Sequence, residues 1–166
     1  RDQWEGGHRV PFLVRWPGRV QPGSTSVQLA SLTDLMATFA AIVGTALPSD
    51  AAEDSFNLLP ALLGQADAPL RPYLLQQAFG GARHLSIRRG AWKYLDHPGS
   101  GGNRYESNPG LKPFILADTA PDAPGQLYNL ETDPGEKRNL YYDHPTIVHE
   151  LKTLLEQSKA SGRSRD

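Results

Sequence analysis

The amino-acid sequence predicts an α/β fold whose second half is α+β, and three patterns support this prediction. Apolar residues alternate over residues 10–16, which predicts a strand. Apolar residues at helical spacing over residues 35–43 predict an amphipathic helix that covers a sheet. Short apolar runs separated by turn residues over 73–130 predict a small four-stranded antiparallel sheet, backed by the C-terminal helix that follows.

Length and composition restrict the classes of protein to be considered. The 166 residues suffice for one domain, or for one domain with a small appendage. Because 17 Lys and Arg residues balance 18 Asp and Glu residues, the formal net charge is −1, and we expect no nucleic-acid partner and no membrane partner. The absence of cysteine excludes disulfides and cysteine-ligated metals but does not determine the compartment.

The first element runs from Trp4 to Gly18 and combines a charged, glycine-containing turn with an apolar segment. The alternation over residues 10–16 predicts a strand, and Leu13 on its second face predicts burial on both sides. Gly6 and Gly7 allow the backbone to turn sharply or to lie close to a ligand or another segment. The pattern therefore predicts a strand of the sheet core that leads away from the rim of a site.

The next segments complete the first half of the chain. A helix is predicted over residues 35–43, with Thr33 as its N-cap and Gly44 ending it in a left-handed conformation. A short apolar helical turn follows within residues 56–64. The proline-containing linker after it predicts a domain boundary, with residues 1–70 in one part and residues 71–166 in the other.

The second half alternates short strands with turns. Strands are predicted at residues 73–79, 84–88, 92–95 and 126–130. Gly80-Gly81 is predicted to form the turn between the first two. The irregular stretch 96–124 is long for a compact domain, and such loops commonly carry function. Asp143 is expected to cap the last helix, whose apolar face includes Leu151 and Leu155.

Four segments together resemble the C-terminal portion of the sulfatase family, the arylsulfatase-like enzymes of the alkaline-phosphatase superfamily. The resemblance spans almost the whole chain and rests on these motifs: Trp4-Glu5-Gly6-Gly7-His8-Arg9-Val10-Pro11 with Arg15-Trp16-Pro17-Gly18, Ser31-Leu32-Thr33-Asp34-Leu35 with Thr38 and Gly44, Ile87-Arg88-Arg89-Gly90-Ala91-Trp92-Lys93, and Leu127-Tyr128-Asn129-Leu130-Glu131-Thr132-Asp133-Pro134-Gly135-Glu136 with Asn139-Leu140.

The resemblance implies a fold and a chemistry. Residues 1–70 would form the end of an alkaline-phosphatase-like sheet with its covering helix, and residues 71–166 a small subdomain beside the active-site cleft. The complete enzyme would be a sulfuric ester hydrolase that uses a formylglycine nucleophile and Ca²⁺ to cleave a sulfate-ester substrate. The resemblance also implies a periplasmic or secreted location, whereas the sequence itself does not identify the compartment or the substrate.

The motifs that would carry this chemistry are absent from these 166 residues. The family's formylglycine derives from the Cys or Ser of a C/S-x-P-x-R motif, and neither this motif nor the aspartate metal-ligand motifs occur in the sequence. The resemblance places the family's sulfate-contacting lysine immediately before Arg1. We therefore expect no cofactor, no metal ligand and no catalytic residue in this chain, and no activity without the N-terminal catalytic part of the same polypeptide.

Four residues are the candidates for the rim of the substrate cleft. Glu5, His8 and Arg9 surround the Gly-Gly turn, and His97 opens the long glycine-containing loop. Arg9 is either a structural partner of Glu5 or a substrate contact. His8 is either a partner in a local hydrogen bond or a substrate contact. The loop after His97 is either a substrate contact or a solvated flap.

The sequence is also compatible with two other functions. A phosphonate or phosphate-ester hydrolase of the same superfamily would share these segments, and its nucleophile motif would distinguish it. A non-catalytic glycan-binding or docking module would fold cooperatively alone and bind without cleaving. Because a strand removed from a larger sheet exposes its edges and an apolar face, residues 1–70 are expected to be partly disordered or to self-associate in isolation.

Overall fold

A computed structural model describes residues 2–79 and 83–165 of the chain. The chain forms two compact units, which are described separately. The first, called the sheet unit, contains the residues up to Val10 together with Leu75–Gln157. The second, called the helical unit, contains Pro11–Leu74 and the residues from Ser158 onward. The domain boundary inferred from the sequence concerns the parent polypeptide and stays a prediction.

The sheet has four strands in sequential order, as the sequence predicted. They are β1 (Leu74–Gln77), β2 (Leu85–Arg89), β3 (Trp92–Leu95) and β4 (Gln126–Asn129). β2 and β3 pair antiparallel, as do β3 and β4. The turn predicted at Gly80-Gly81 lies outside the described residues.

The strands and the last helix of the sheet unit share an apolar core. Ile87, Leu95 and Leu127 of the strands are fully buried, as are Leu151 and Leu155 of the C-terminal helix. This helix, α4, spans Pro145–Ser161 and confirms the predicted apolar face. Two side-chain contacts connect its first turns to the sheet: Arg89 forms a salt bridge with Glu150, and Trp92 makes an edge contact with His144.

The N-terminal segment differs from the prediction. A single helical turn, α1 (Glu5–His8), begins it, and residues 10–16 form no regular structure. The predicted strand is therefore wrong for this chain, and Leu13, expected to be buried, is 92% exposed. The physical reason is that a strand requires backbone partners, and no segment of the described residues pairs with this one.

The helical unit contains α2 (Leu35–Ile42) and α3 (Leu59–Leu62), which confirm two predicted helices. A 3₁₀ turn, Leu32–Asp34, precedes α2, and Ser31 rather than Thr33 caps it, because Ser31 and Asp34 satisfy each other's backbone N–H groups in a capping box. Gly44 follows the helix with a φ of 72°, as predicted.

The apolar face of α2 is present but uncovered within this chain. Met36, Phe39 and Val43 are each more than half exposed. The opposite face, with Ala37 and Thr38, is the buried one. None of the helices in the described part of the chain combines the length and the apolar character that a membrane span requires.

Candidate functional site

The four rim candidates all lie in the sheet unit, in two settings. Glu5 and His8 belong to α1 and Arg9 follows it, whereas His97 lies two residues beyond the end of β3. Glu5 and His97 are buried, His8 is half-buried and Arg9 is exposed.

Glu5 is the centre of a buried ion cluster. Lys93, which is fully buried on β3, places its Nζ 3.0 Å from Glu5 Oε1 and 2.9 Å from Glu136 Oε1. Arg88 of β2 places Nη1 3.3 Å from Glu5 Oε2. The backbone N–H of Glu5 donates to Glu136 Oε2. The cluster therefore joins α1 to two strands and to the turn after β4.

The pairing of Glu5 with Arg9 is confirmed, but it is a minor contact. Arg9 Nη1 lies 3.9 Å from the Glu5 carboxylate and its side chain is largely exposed, so solvent screens the attraction. His8 Nε2 lies closer, 3.2 Å from Glu5 Oε1, so the expected local contact is present. Contact of Glu5, His8 or Arg9 with substrate stays a prediction.

Sequence reasoning missed the main partners, although a signal existed. Arg88 and Lys93 are directly opposite each other across the β2–β3 hairpin. Two like charges at opposed positions destabilise a hairpin unless an anion joins them, and Glu5 is that anion.

The two carboxylates respond differently to burial. Burial alone would raise the pKa of Glu5, but the hydrogen bond with His8 and the charges of Lys93 and Arg88 lower it to about 2. Burial raises the pKa of Glu136 above its ordinary value, against the opposing effect of Lys93. An ionised carboxylate so fully paired is a poor proton acceptor. The cluster thus anchors α1 to the sheet.

The Gly-Gly turn brings α1 against the start of the chain. A Cβ atom at Gly7 would lie 2.3 Å from the backbone oxygen of Asp2, so only glycine fits there. A Cβ at Gly6 would meet nothing within 4 Å. The predicted close approach to another segment is confirmed at Gly7.

Asp2 connects the long loop to the first residues of the chain by hydrogen bonds. Its carboxylate accepts hydrogen bonds from Tyr105 Oη at 2.6 Å and from the backbone and side-chain amides of Asn103 at 2.8 and 2.9 Å. Burial opposes ionisation of Asp2, but these hydrogen bonds outweigh it and lower its pKa. Burial raises the pKa of Tyr105, and the hydrogen bond with Asp2 raises it further, to about 12. Residues 98–106, called the glycine loop below, are therefore held beside residues 2–4.

A cavity of about 590 Å³ opens where these segments meet. Trp4 and Tyr105 line it, with ring centroids 5.8 Å apart. Hydrogen bonds hold two of its lining side chains in place: Trp4 Nε1 and Tyr128 Oη both donate to Gln126 Oε1, at 3.0 and 2.6 Å. Phe114 and other residues of the long loop complete the lining. Aromatic walls with a few fixed polar groups are typical of sites for small organic ligands.

His97 lies away from this cavity's lining and is packed inside the sheet unit. It is 2% exposed, with Nε2 3.1 Å from Gln3 Oε1 and Nδ1 3.0 Å from the Pro98 carbonyl oxygen. Burial lowers its pKa. Gln126 Nε2 donates to the His97 and Gly99 carbonyl oxygens, at 2.9 and 2.7 Å. A contact between His97 and substrate stays a prediction.

Comparison with known proteins identifies relatives of the whole chain. A scan against protein-family models finds no match. An N-acetylgalactosamine-6-O-sulfatase of Bacteroides thetaiotaomicron is 38% identical over 156 residues, which are 94% of this chain and 28% of that protein. Human arylsulfatase A is 36% identical over 159 residues, which are 91% of this chain and 30% of that protein.

Solved structures agree with these relatives. One, from work on the metabolism of multiple glycosaminoglycans by Bacteroides thetaiotaomicron, matches with a TM-score of 0.70 and 35% identity over 94% of this chain and 30% of that one. A second, in complex with D-glucosamine-2-N,6-O-disulfate, has a TM-score of 0.62 and, at 22% identity, shows the fold alone. This chain spans about 30% of its relatives' length. It belongs to the sulfatase family, of alkaline-phosphatase-like fold, and corresponds to the C-terminal portion of those enzymes.

Proposed function

We propose that this chain forms one wall of the substrate cleft of a sulfatase whose nucleophile and metal ligands lie in the N-terminal part of the same polypeptide. The observation that carries the proposal is the cavity bounded by Trp4 and Tyr105, held beside residues 2–4 by Asp2. By resemblance, the family's sulfate-contacting lysine immediately precedes Arg1. The cavity would therefore open next to the sulfate group.

The residues of this chain do not fit the groups that the family uses for chemistry. The sequence contains no Cys and no Ser-x-Pro-x-Arg, so it lacks a formylglycine precursor. Ca²⁺ takes six to eight oxygen ligands. Among the described residues, the buried carboxylates of Glu5 and Glu136 are instead neutralised by Lys93 and Arg88. We therefore propose that the isolated chain is inactive.

We further propose a sulfated amino sugar as the substrate. The support is the name of the Bacteroides relative, which acts on a 6-O-sulfated N-acetylgalactosamine, together with the cavity itself. Paired aromatic rings present flat apolar faces to a sugar ring, and the fixed amide and hydroxyl groups around them suit its hydroxyls.

Sulfate release from 6-O-sulfated N-acetylgalactosamine tests both statements. The 166-residue chain should release none, and the complete polypeptide should. In the complete polypeptide, Tyr105→Ala should lower kcat/KM at least about tenfold, because one cavity wall and the anchor of the glycine loop are lost. Tyr142→Ala removes an exposed tyrosine that does not line the cavity and serves as the control. Turnover by the isolated chain, or equal effects of the two variants, would contradict the proposal.

The exposed apolar side chains of the helical unit support the N-terminal part as the partner. Phe12 and Leu13 precede the first helix of this unit, and Met36 and Phe39 lie on it, all at least two-fifths exposed. Hydrogen exchange should show little protection of residues 10–16 in the isolated chain and strong protection in the complete polypeptide. The isolated chain should also self-associate, and Leu13→Ser should reduce this. A monomer with full protection in residues 10–16 would refute the assignment.

A further inference from the structure

The end of the β2–β3 hairpin brings together side chains that the ion cluster and the cavity do not use. The last pair of the ladder is Ser86 with Leu95. One step further, the backbone N–H of Asp96 donates to the Leu85 carbonyl oxygen at 3.0 Å, and the Leu85 N–H donates to Asp96 Oδ1 at 2.9 Å. His84 and His97 are the next opposed pair, and their ring centroids lie 4.1 Å apart.

His84, Asp96 and His97 each offer one donor atom, and these three atoms lie within 4.8 Å of one another. Transition-metal bonds to nitrogen and oxygen are about 2.0–2.2 Å long, so two ligands at the tetrahedral angle lie about 3.4 Å apart. The most distant donors therefore need to approach by up to about 1.4 Å, a movement that rotation about side-chain bonds can provide. Two imidazoles with one carboxylate suit Zn²⁺, Co²⁺ or Ni²⁺ and not Ca²⁺, whose ligands are oxygens.

The surroundings of His97 supply a second observation. Both of its ring nitrogens face oxygens, those of Pro98 and Gln3. The Gln3 side chain cannot turn its nitrogen toward the ring, because Nε2 already donates to the Gln76 and His84 carbonyl oxygens at 3.0 and 2.9 Å. A neutral imidazole has only one N–H. At the other ring nitrogen of His97, the lone pair of the nitrogen therefore faces the lone pair of an oxygen. Either a proton or a metal ion at that nitrogen removes the conflict.

We propose that His84, Asp96 and His97 form a binding site for a divalent transition-metal ion. The proposed site does not depend on the proposed function. The hydrogen bond from one ring nitrogen of His97 to a carbonyl oxygen would orient the ring for ligation by the other. Gln3, which holds the His84 backbone and faces His97, positions both ligands.

Titration of the metal-free chain, purified without a histidine tag, with Co²⁺ and Zn²⁺ tests the site. We expect one ion per chain, a visible d–d absorption for Co²⁺ and a rise in Tm with Zn²⁺. His84→Gln and Asp96→Asn should each weaken binding at least about tenfold. Asp96→Asn retains an oxygen for the Leu85 N–H, so it tests the site even where His84→Gln disturbs folding.

His149→Gln is the matched control, because His149 is exposed on α4. This variant should bind like the unaltered chain. The proposal is overturned by the absence of saturable binding, by unchanged affinity in both ligand variants, or by loss of binding in His149→Gln. None of these metal-binding measurements depends on sulfate release. A failure of the metal site can therefore be distinguished from a failure of the cleft proposal.

Discussion

The sheet unit and the helical unit are stabilised in different ways. In the sheet unit the fully buried side chains include Ile87, Leu95 and Leu127, which form an apolar interior. In the helical unit the most buried side chains include Asp34, Thr38 and Ser55, which are polar, whereas several large apolar side chains, Leu13 and Val43 among them, are exposed.

Asp34 is the centre of a network of buried polar groups in the helical unit. Asp34 accepts the Ser31 and Phe56 N–H groups at 2.7 and 2.9 Å and lies 3.4 Å from Arg71. Such a network specifies a conformation but contributes less stability than apolar burial, since each hydrogen bond replaces one with water. Each large apolar side chain left exposed forgoes about 1.5–3 kcal/mol. The comparison teaches that the sheet unit has an apolar interior of its own, whereas the helical unit is organised around buried polar groups and leaves apolar side chains of α2 exposed.

The largest expected effect comes from Lys93→Met in the sheet unit. The substitution leaves Glu5 and Glu136 buried together without their shared cation, and breaking a buried ion pair costs about 3–5 kcal/mol. Urea denaturation measures the loss. Lys152→Met, on the exposed face of α4, should change the free energy of unfolding by less than about 0.5 kcal/mol. Equal effects would show that the ion cluster is not an anchor.

A pair of leucine truncations tests the contrast between the units directly. Leu127→Ala removes a fully buried side chain and should cost about 2–5 kcal/mol of unfolding free energy. Leu13→Ala removes a side chain that is 92% exposed and should cost less than about 0.5 kcal/mol. A large cost for Leu13→Ala in the isolated chain would mean that the helical unit buries this residue after all.

The pH dependence of stability sharpens the assignment of Glu5. Its pKa in the folded chain is about 2, against an ordinary value of 4.5, so its contribution is present above pH 4.5 and is lost as the pH falls to about 2. At about 1.4 kcal/mol for each pKa unit, that contribution is about 3 kcal/mol. Glu136 has the opposite sign, because its raised pKa favours the folded state at low pH.

The difference in unfolding free energy between the unaltered chain and Glu5→Gln isolates this contribution. It should be about 3 kcal/mol near neutral pH and shrink toward zero as the pH approaches 2. Glu131→Gln, at an exposed position, should show no such trend. A difference that does not vary with pH would exclude a depressed pKa at Glu5.

The smallest of these effects is expected for Asp34→Asn in the helical unit. The amide keeps one acceptor for the capping box but leaves the Phe56 N–H without its acceptor and Arg71 without its carboxylate, which should cost about 2 kcal/mol. Asp50→Asn in an exposed loop is the control and should be neutral. A loss as large as that of Lys93→Met would show that the helical unit is as strongly stabilised as the sheet unit.

Local pattern was sufficient to predict most elements of this protein. The four strands, α2, α3 and α4 follow from apolar periodicity and turn residues, which act between neighbours in the chain. The family followed from motifs spread over nearly its whole length. The one element that failed, the strand over residues 10–16, has the right alternation, but it lacks backbone partners among the described residues.

The sequence by itself determined most of the elements, the family and the absence of a formylglycine precursor from these residues. Only the tertiary structure decided that Glu5 pairs with Lys93 and Glu136, that Asp2 holds Tyr105, and that His97 is buried beside His84. The first two of these contacts join residues about 90 to 130 positions apart. The physical reason is that periodicity reports which face of an element is buried, whereas the identity of a partner depends on how distant segments pack.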